Sequence, residues 1–219
     1  MNDSSETDTD KAYSPSDVLD FWFPDTGHQN DPETHGEFWT ERMQGGMDAA
    51  IIERFGGLTM AAATGRLDHW AETARGRLAL LIALDQFPRS LWRDTPAAYA
   101  QDIKAARLAL EGIANGHFDA LEPWETMFFV IAIGHCEGPR HLERMELLDT
   151  VLEAVIAKVD GPLAAMGPNI RAQQARVKEV IAAFGRHPHR NVILSRPSTP
   201  EEESYLAEGD FPHLPPRES

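Results

Sequence analysis

The sequence predicts an all-α protein, on two observations. Apolar residues recur at helical spacing along most of the chain, and no segment shows the sustained alternation of apolar and polar residues that a half-buried strand requires. Residues 78–84 are apolar on every side, which is typical of a buried helix. About ten helices joined by short loops favour antiparallel helical hairpins packed side by side.

The N-terminal helices are predicted from the residues that start and end them. A capping hydroxyl at Ser14 or Ser16, together with Pro15, starts a first helix that Pro24 ends. Glycine pairs break the segments that follow, since glycine disfavours a helix interior. The predicted helices are residues 38–43, residues 47–55 and a short helix that ends at Gly65.

The remaining helices follow the same signals. Thr73 caps a helix over residues 74–86, which Pro88 ends because proline removes a backbone donor. Thr95 and Pro96 open the next helix, since proline is favoured at the first helical position. The later helices are predicted to close at Asn115, to begin at Pro123, to span residues 139–158 and 169–184 with Gly185 at the end, and to open again at Thr199.

The chain is predicted to form a single domain. We expect residues 1–12 to be a disordered acidic tail, residues 13–208 to be one helical domain and residues 209–219 to be a flexible tail. The ends carry most of the formal charge of −15, since residues 1–40 contribute −9 and residues 201–219 contribute −5. Oligomeric state is not encoded in any pattern of the sequence.

Positive charge concentrates between residues 171 and 200, where one acid, Glu179, stands among six cations. A nucleic-acid-binding protein needs a broad basic face, which an isoelectric point near 4.9 argues against. A small anionic ligand needs only a few focused cations. The cations are Arg171, Arg176, Lys178, Arg186, Arg190 and Arg196.

Composition also predicts a cytoplasmic protein that needs no disulfide, metal or cofactor. The one cysteine, Cys136, has no intramolecular partner, and the first ten residues lack the basic and apolar parts of a signal peptide. The longest apolar runs have seven residues, whereas a membrane span needs roughly 20.

Two stretches concentrate unusual chemistry: LLIALDQFPRSLWR at residues 80–93 and AAFGRHPHRNVILSRPSTPEE at residues 182–202. Together with LDFWF near the start and the pair His135 and Glu137, they resemble the bacterial domain-of-unknown-function family 924 over roughly residues 16–206. The resemblance implies a helical fold similar to tetratricopeptide-repeat proteins, packed as a superhelix. It implies no established activity, substrate or cofactor.

The chain departs from that family's pattern in three places. Gly134 to Glu137 read Gly-His-Cys-Glu where the family has Glu-His-Ser-Glu, so the resemblance implies that Cys136 is not a required thiol. Val177 replaces a family histidine, and His187 replaces a phenylalanine. A mechanism that depends on the missing histidine is therefore in doubt for this protein.

Asp85 and Arg89 are four residues apart at the end of a buried helix. They would share one face if the helix continued, but Pro88 is expected to divert the chain between them. A buried aspartate must be paired or protonated. The pair is interpreted either as a local ion pair that orients the turn or as part of a catalytic site, with structural pairing favoured.

His135 and Glu137 stand at the C-terminal end of the helix that begins at Pro123. One hypothesis is a general acid or base whose imidazole is oriented by a carboxylate. The other is a capping histidine that satisfies free carbonyl groups. The residue types leave both open.

The loop after Gly185 holds two histidines and three arginines. His187 and His189 invite a metal interpretation, but the family phenylalanine at position 187 argues against it and no metal is predicted. The arginines need counter-charges, either internal ones or an anionic ligand. The arginines are Arg186, Arg190 and Arg196, and the internal candidates are Asp85, Glu137 and Asp102.

Three hypotheses follow: a small-molecule enzyme or sensor with a pocket between helices, a peptide-binding module, or a buried structural network. The first is slightly favoured, with hydrolase or lyase chemistry on an anion. The two stretches are predicted to meet in one site, because isolated buried polar groups are costly. The candidate catalytic residues are Asp85, His135, Glu137 and His189, and the candidate ligand-binding residues are Gln86, Arg89, Arg186, Arg190 and Asn191.

Overall fold

The computed structural model describes residues 13–209 and 211–212, and these contain helices and no strand. The predicted all-α class is confirmed, and the tetratricopeptide-like superhelix stays a prediction. No described helix is both long and apolar enough to cross a membrane. The helices are α1 (Pro15–Trp22), α2 (Pro32–Met43), α3 (Asp48–Ala63), α4 (Ala74–Leu81), α5 (Phe87–Leu91), α6 (Asp102–Ala114), α7 (Pro123–His135), α8 (His141–Lys158), α9 (Gly167–Phe184) and α10 (Pro200–Glu208).

Capping side chains set several helix starts where the sequence predicts them. Ser14 caps α1, and the side chain of Asp17 returns a bond to the backbone of Ser14. Thr199 and Glu202 form the same reciprocal arrangement at α10. Gly185 ends α9 in the left-handed conformation that glycine adopts most easily.

Two predicted boundaries are wrong for the same reason. The helix expected over residues 47–55 and the short helix after it are one continuous helix, α3, which passes through Gly56 and Gly57. Each helical glycine costs about 1 kcal/mol. Burial of the apolar side chains on α3 outweighs that cost, since Leu58 and Ala62 are fully buried.

The predicted helix end at Pro88 is also wrong. A π-helical turn, Ile82–Gln86, joins α4 directly to α5. The widened turn pairs the Phe87 N–H with the carbonyl of Ile82, five residues earlier, and so accommodates a proline that lacks a donor. Asp85 and Arg89 consequently share one face, and their side chains are 3.3 Å apart.

Another boundary shifts by six residues. Thr95 and Pro96 open a short 3₁₀ turn, Pro96–Tyr99, and the helix α6 itself begins at Asp102. Asp102 thus stands in the first turn of a helix, where a carboxylate interacts favourably with the helix dipole. This shift places Asp102 beside Arg89.

The core lies around α4, whose residues 78–81 are fully buried, and it includes Phe129 and Ile133 of α7. Successive helices α6, α7, α8 and α9 pack on one another, and α4 contacts both α6 and α7. The end of α7, the start of α6 and the π-helical turn therefore lie close together.

The predicted acidic tail at residues 1–12 lies outside the described residues, as does most of the predicted tail at 209–219. Phe211 is described, and its ring lies 5.5 Å from that of Tyr205 and 5.9 Å from that of His189. Disorder at both ends stays a prediction.

Two buried histidines are locked in their neutral forms. The Nδ1 atoms of His28 and His35 are 2.9 Å apart, and Trp39 Nε1 donates to His35 Nε2 at 3.1 Å. Trp39 can only donate, so His35 Nε2 accepts and His35 Nδ1 donates to His28. A proton added to His35 Nε2 would face the N–H of Trp39, and one added to His28 Nδ1 would face the N–H of His35.

We expect this pair to destabilise the protein in acid. Burial, with the neighbouring His28, lowers the pKa of His35 to about 4, so the unfolded chain binds more protons between pH 6.5 and about 4. Stability is then greatest above pH 6.5 and falls as pH drops, by up to about 1.4 kcal/mol per pH unit for each proton taken up. Urea unfolding at pH 7.5 and 4.5 measures the difference in the free energy of unfolding. The same difference in His35→Gln as in the parent protein would contradict the prediction.

Candidate functional site

The centre of the candidate site is a pair formed by Asp85 and His135. Asp85 lies on the π-helical turn and is 1% exposed, while His135 is the last residue of α7. Both carboxylate oxygens of Asp85 approach His135 Nδ1, at 2.9 and 3.1 Å. We call this pair the dyad. The two residues of the dyad lie 50 positions apart in the sequence.

The dyad is ionised on one side only. Burial opposes the charge on Asp85, but Arg89 and His135 hold the pKa of Asp85 well below its usual range. Burial and Arg89 lower the pKa of His135, and Asp85 only partly offsets this effect. At neutral pH the imidazole is therefore neutral and donates from Nδ1, which leaves a lone pair on Nε2.

The outer edge of His135 is accessible. Its side chain is 26% exposed although Asp85 is buried, and Nε2 makes no hydrogen bond to any described residue. Because Nδ1 faces the buried carboxylate, the exposed part of the ring includes the edge that carries Nε2. This geometry suits a base that takes a proton from a molecule at the surface.

Gln86 and Arg89 complete the surroundings of Asp85. Gln86 Nε2 donates to Asp85 Oδ2 at 2.5 Å. Arg89 Nη1 donates to the Asp85 carbonyl and lies 3.3 Å from Oδ1. Gln86 lies on the π-helical turn and Arg89 on α5, and together with His135 they surround the carboxylate with donors.

Asp102 bridges two arginines next to the dyad. Its Oδ1 accepts from Arg89 Nη2 at 2.9 Å and its Oδ2 accepts from Arg190 Nη1 at 3.0 Å. Arg190 Nη1 also donates to the backbone carbonyl of His135 at 2.9 Å. The two guanidinium groups stand over the ring of Tyr99, at 5.7 and 4.6 Å from its centre.

Glu137 belongs to a second cluster. It accepts from Arg196, and from the backbone N–H of His187 at 2.7 Å. Burial opposes the charge on Glu137, but the hydrogen bond from Arg196 keeps its pKa low. No hydrogen bond joins the side chains of Glu137 and His135. Of the two hypotheses for His135, the one with a carboxylate that orients the imidazole fits the geometry, but the carboxylate is that of Asp85 and not that of Glu137.

Glu202 joins the same cluster from α10. Arg186 donates to it twice at 2.7 Å, and Asn191 Nδ2 donates to it at 3.1 Å. The hydrogen bond from Arg186 lowers the pKa of Glu202 to about 2. We call Glu202, Arg186 and Asn191 the latch.

The structure thus brings both chemistry-rich stretches together, but in two linked clusters. Gln86 and Arg89 contact Asp85 of the dyad, and Arg190 contacts the backbone carbonyl of His135. The remaining candidates lie apart from the dyad. Arg186 and Asn191 belong to the latch, Glu137 pairs with Arg196, and His189 lies beside His187 and Phe211.

All three arginines of the loop are paired with internal acids. The sequence predicts Asp85, Glu137 and Asp102 as counter-charges, and the structure uses Glu137 and Asp102. Sequence reasoning missed Glu202, which pairs with Arg186. Its signal was present, since Glu202 is the third residue of a helix opened by Thr199, where an acid serves as a capping group.

The dyad does not line either of two cavities of about 380 and 270 Å³. The first lies beside His141 at the start of α8, and the second lies between Tyr13 and Leu58. Within the described part of the chain, no group of three or more His, Cys, Asp or Glu residues is placed to hold a metal ion.

We expect Cys136→Ser to leave stability and any activity essentially unchanged. Cys136 is buried, and burial raises the pKa of its thiol, so little thiolate forms at neutral pH. Its thiol makes one weak contact, with the carbonyl of Glu137 at 3.6 Å. Thermal unfolding of both proteins tests this, and a drop of more than about 1.5 kcal/mol would contradict it.

Comparison with known proteins gives a family and a fold. Residues 18–210 match the model of a family described as bacterial protein of unknown function (DUF924). A solved structure of a protein of unknown function from Agrobacterium tumefaciens is 31% identical, covers 89% of this chain and 97% of its own, and has a TM-score of 0.65. No curated protein matches. Since the family model spans nearly the whole described chain, including the dyad and the latch, this chain belongs to that bacterial family of unknown function.

Proposed function

We propose that this protein is a small-molecule enzyme of the hydrolase or lyase type, with His135 as its general base. The observation that carries the proposal is the dyad: Asp85 holds His135 Nδ1 through both oxygens while Nε2 faces the surface. A carboxylate that fixes one ring nitrogen leaves the other one correctly oriented for proton transfer.

In the proposed reaction, His135 Nε2 takes a proton from a water molecule or from an acidic group of the substrate. In a hydrolysis, the water oxygen then bonds to the carbonyl carbon or phosphorus of the substrate, and the bond to the leaving group breaks. In a lyase reaction, the electron pair of the C–H bond forms a double bond and expels the leaving group on the next carbon. The imidazolium is stabilised by Asp85 and returns the proton to the leaving group. No described Ser, Thr or Cys side chain is hydrogen-bonded to His135, which favours water or the substrate itself as the nucleophile.

The proposed substrate carries an anionic group that binds Arg89. The Arg89 side chain is 20% exposed, and its guanidinium lies beside the carboxylate that holds His135. Burial of Arg89 opposes its charge, but Asp85 and Asp102 raise its pKa, so the cation is permanent. A carboxylate or phosphate is the natural partner for such a group. We further propose a cytoplasmic location for the enzyme.

A specific observation favours a second interpretation, a buried structural network. All four arginines of the two clusters have internal carboxylate partners, so none of them requires a ligand to balance its charge: Arg89, Arg186, Arg190 and Arg196. This interpretation predicts no catalysis and no anion effect. It leaves the accessible edge of His135 without a role.

The two interpretations separate in an anion-binding experiment. We expect phosphate or acetate at ten times its Kd to stabilise the protein by about 1.4 kcal/mol, which raises Tm by roughly 3 to 6 °C. The comparison is made against chloride at equal ionic strength. Arg89→Met abolishes the rise, since it removes the anion's partner.

Arg93→Met serves as the matched control. Arg93 lies four residues further along, just past the end of α5, and pairs with Asp48 at the surface, so its loss leaves the anion effect in place. The same rise in Tm in Arg89→Met as in the parent protein would assign anion binding to another part of the surface and overturn the proposed substrate site.

A further inference from the structure

Two hydrogen bonds and one peptide bond connect the last described helix to the dyad. Asn191 Nδ2 donates to Glu202 of α10, and Arg190, the residue before Asn191, donates to the backbone carbonyl of His135. We propose that docking of α10 regulates the dyad, with Arg190 as the positioning residue that transmits its position. The inference rests on the proposed function of the dyad.

The first link is the latch. Glu202 is only 2% exposed, and its carboxylate is satisfied by Arg186 and Asn191. These partners offset the free-energy cost of burying the Glu202 carboxylate, and they can do so only while α10 is docked. Release of α10 therefore removes the carboxylate partner of both Arg186 and Asn191.

The second link is the loop that carries Arg190. Asn191 is fully buried and accepts from Arg196 twice, at its side chain and at its backbone carbonyl. Arg196 in turn holds Glu137, two residues after His135. Asn191, which is part of the latch, thus holds the loop beside Arg190 and, through Arg196, beside Glu137.

The third link is Arg190 itself. It is the residue before Asn191, and a single nitrogen, Nη1, donates both to the carbonyl of His135 and to Asp102. That carbonyl is the last of α7, where a helix has no backbone donor left to offer. If Arg190 moves, the backbone of His135 and the counter-ion of Arg89 lose a partner together, so the base and the anion-binding group both shift.

The experiment measures the titration midpoint of His135 by NMR of the full-length, histidine-labelled protein, with the resonance assigned from His135→Gln. Arg190→Met raises the midpoint toward the ordinary histidine value of about 6.5, because Arg190 lowers the pKa of His135. Arg190→Lys keeps the charge and recovers part of the difference. If Arg190 had a purely structural role, both variants would lower the stability, but Arg190→Lys would not bring the His135 midpoint back toward the parent value.

Glu202→Gln tests transmission from α10. Removal of a negative charge can by itself only lower the pKa of a histidine. An upward shift in this variant therefore requires a structural change around His135. If Arg190 transmits that change, Glu202→Gln causes no further shift when it is added to Arg190→Met. Glu203→Gln is the matched control, because Glu203 is the next residue of the same helix turn and is exposed, and it leaves the midpoint unchanged.

All variants are measured at a temperature where thermal unfolding shows them to be folded. If Glu202→Gln does not fold, Arg186→Gln removes the other half of the latch at a side chain that is 28% exposed. An unshifted His135 midpoint in the latch variants overturns the coupling. The titration needs no substrate, so the coupling can fail while the proposed activity stands, and a failed activity screen leaves the titration result intact.

Discussion

Replacement of Asp102 by alanine is expected to lower the free energy of unfolding by about 3 to 5 kcal/mol. Among the described residues, Asp102 is the only carboxylate paired with the buried Arg190, which is 3% exposed, and it also pairs with Arg89. Its loss leaves a guanidinium buried without a counter-charge. For a chain of this length, the loss corresponds to a fall in Tm of about 6 to 20 °C, which calorimetry measures directly.

A surface ion pair provides the matched control. Asp119 pairs with Lys158 at 2.6 Å, but both side chains are more than half exposed. Asp119→Ala is therefore expected to cost only about 0 to 1 kcal/mol. The double variant Asp102→Ala with Arg190→Met should recover part of the stability, since it removes the unpaired charge. Equal losses for Asp102→Ala and Asp119→Ala would contradict the buried bridge.

His135→Gln is expected to reduce kcat by about 10²- to 10⁴-fold, which is the usual contribution of a general base. The measurement needs a substrate, and a panel of small esters, phosphoesters and hydroxy acids with an anionic group is the set that the site favours. His69→Gln removes an exposed histidine in a 3₁₀ turn and leaves kcat unchanged. A variant at His135 that retains full activity would sink the proposed mechanism.

The same base predicts the pH dependence of kcat/KM. His135 must be neutral to accept a proton, and burial together with Arg89 lowers its pKa below the ordinary value of 6.5. Activity is therefore present above the folded-state pKa and is lost as pH falls through it. The midpoint of the acid limb lies below pH 6.5, and a midpoint above that value would show that another group controls the rate.

Sequence reasoning predicted the class of the fold because helix signals are local. Ser14, Thr199 and Gly185 act within one turn of the helix that they start or end, so their effect is visible in the residues themselves. Local signals misjudged helix continuity. Gly56 and Pro88 both lie inside continuous helices, because tertiary burial and a π-helical turn compensate for their local cost.

The candidate site divides along the same line. Residue types alone identified Asp85, His135 and Arg190 as polar groups in apolar surroundings that had to find partners. Which partners they found was decided by packing of α6, α7 and the π-helical turn around a common core.

The sequence by itself therefore determined that the chain is all-α and which charged residues had to be buried. Both follow from the spacing of apolar residues within single helices and from the residue types. Only the tertiary structure decided that Asp85, and not Glu137, holds His135. Carboxylates 50 and two residues away are equivalent as chemistry, but the backbone beyond His135 directs Glu137 to Arg196. Long-range pairing of this kind depends on where whole helices pack, and no local rule contains that information.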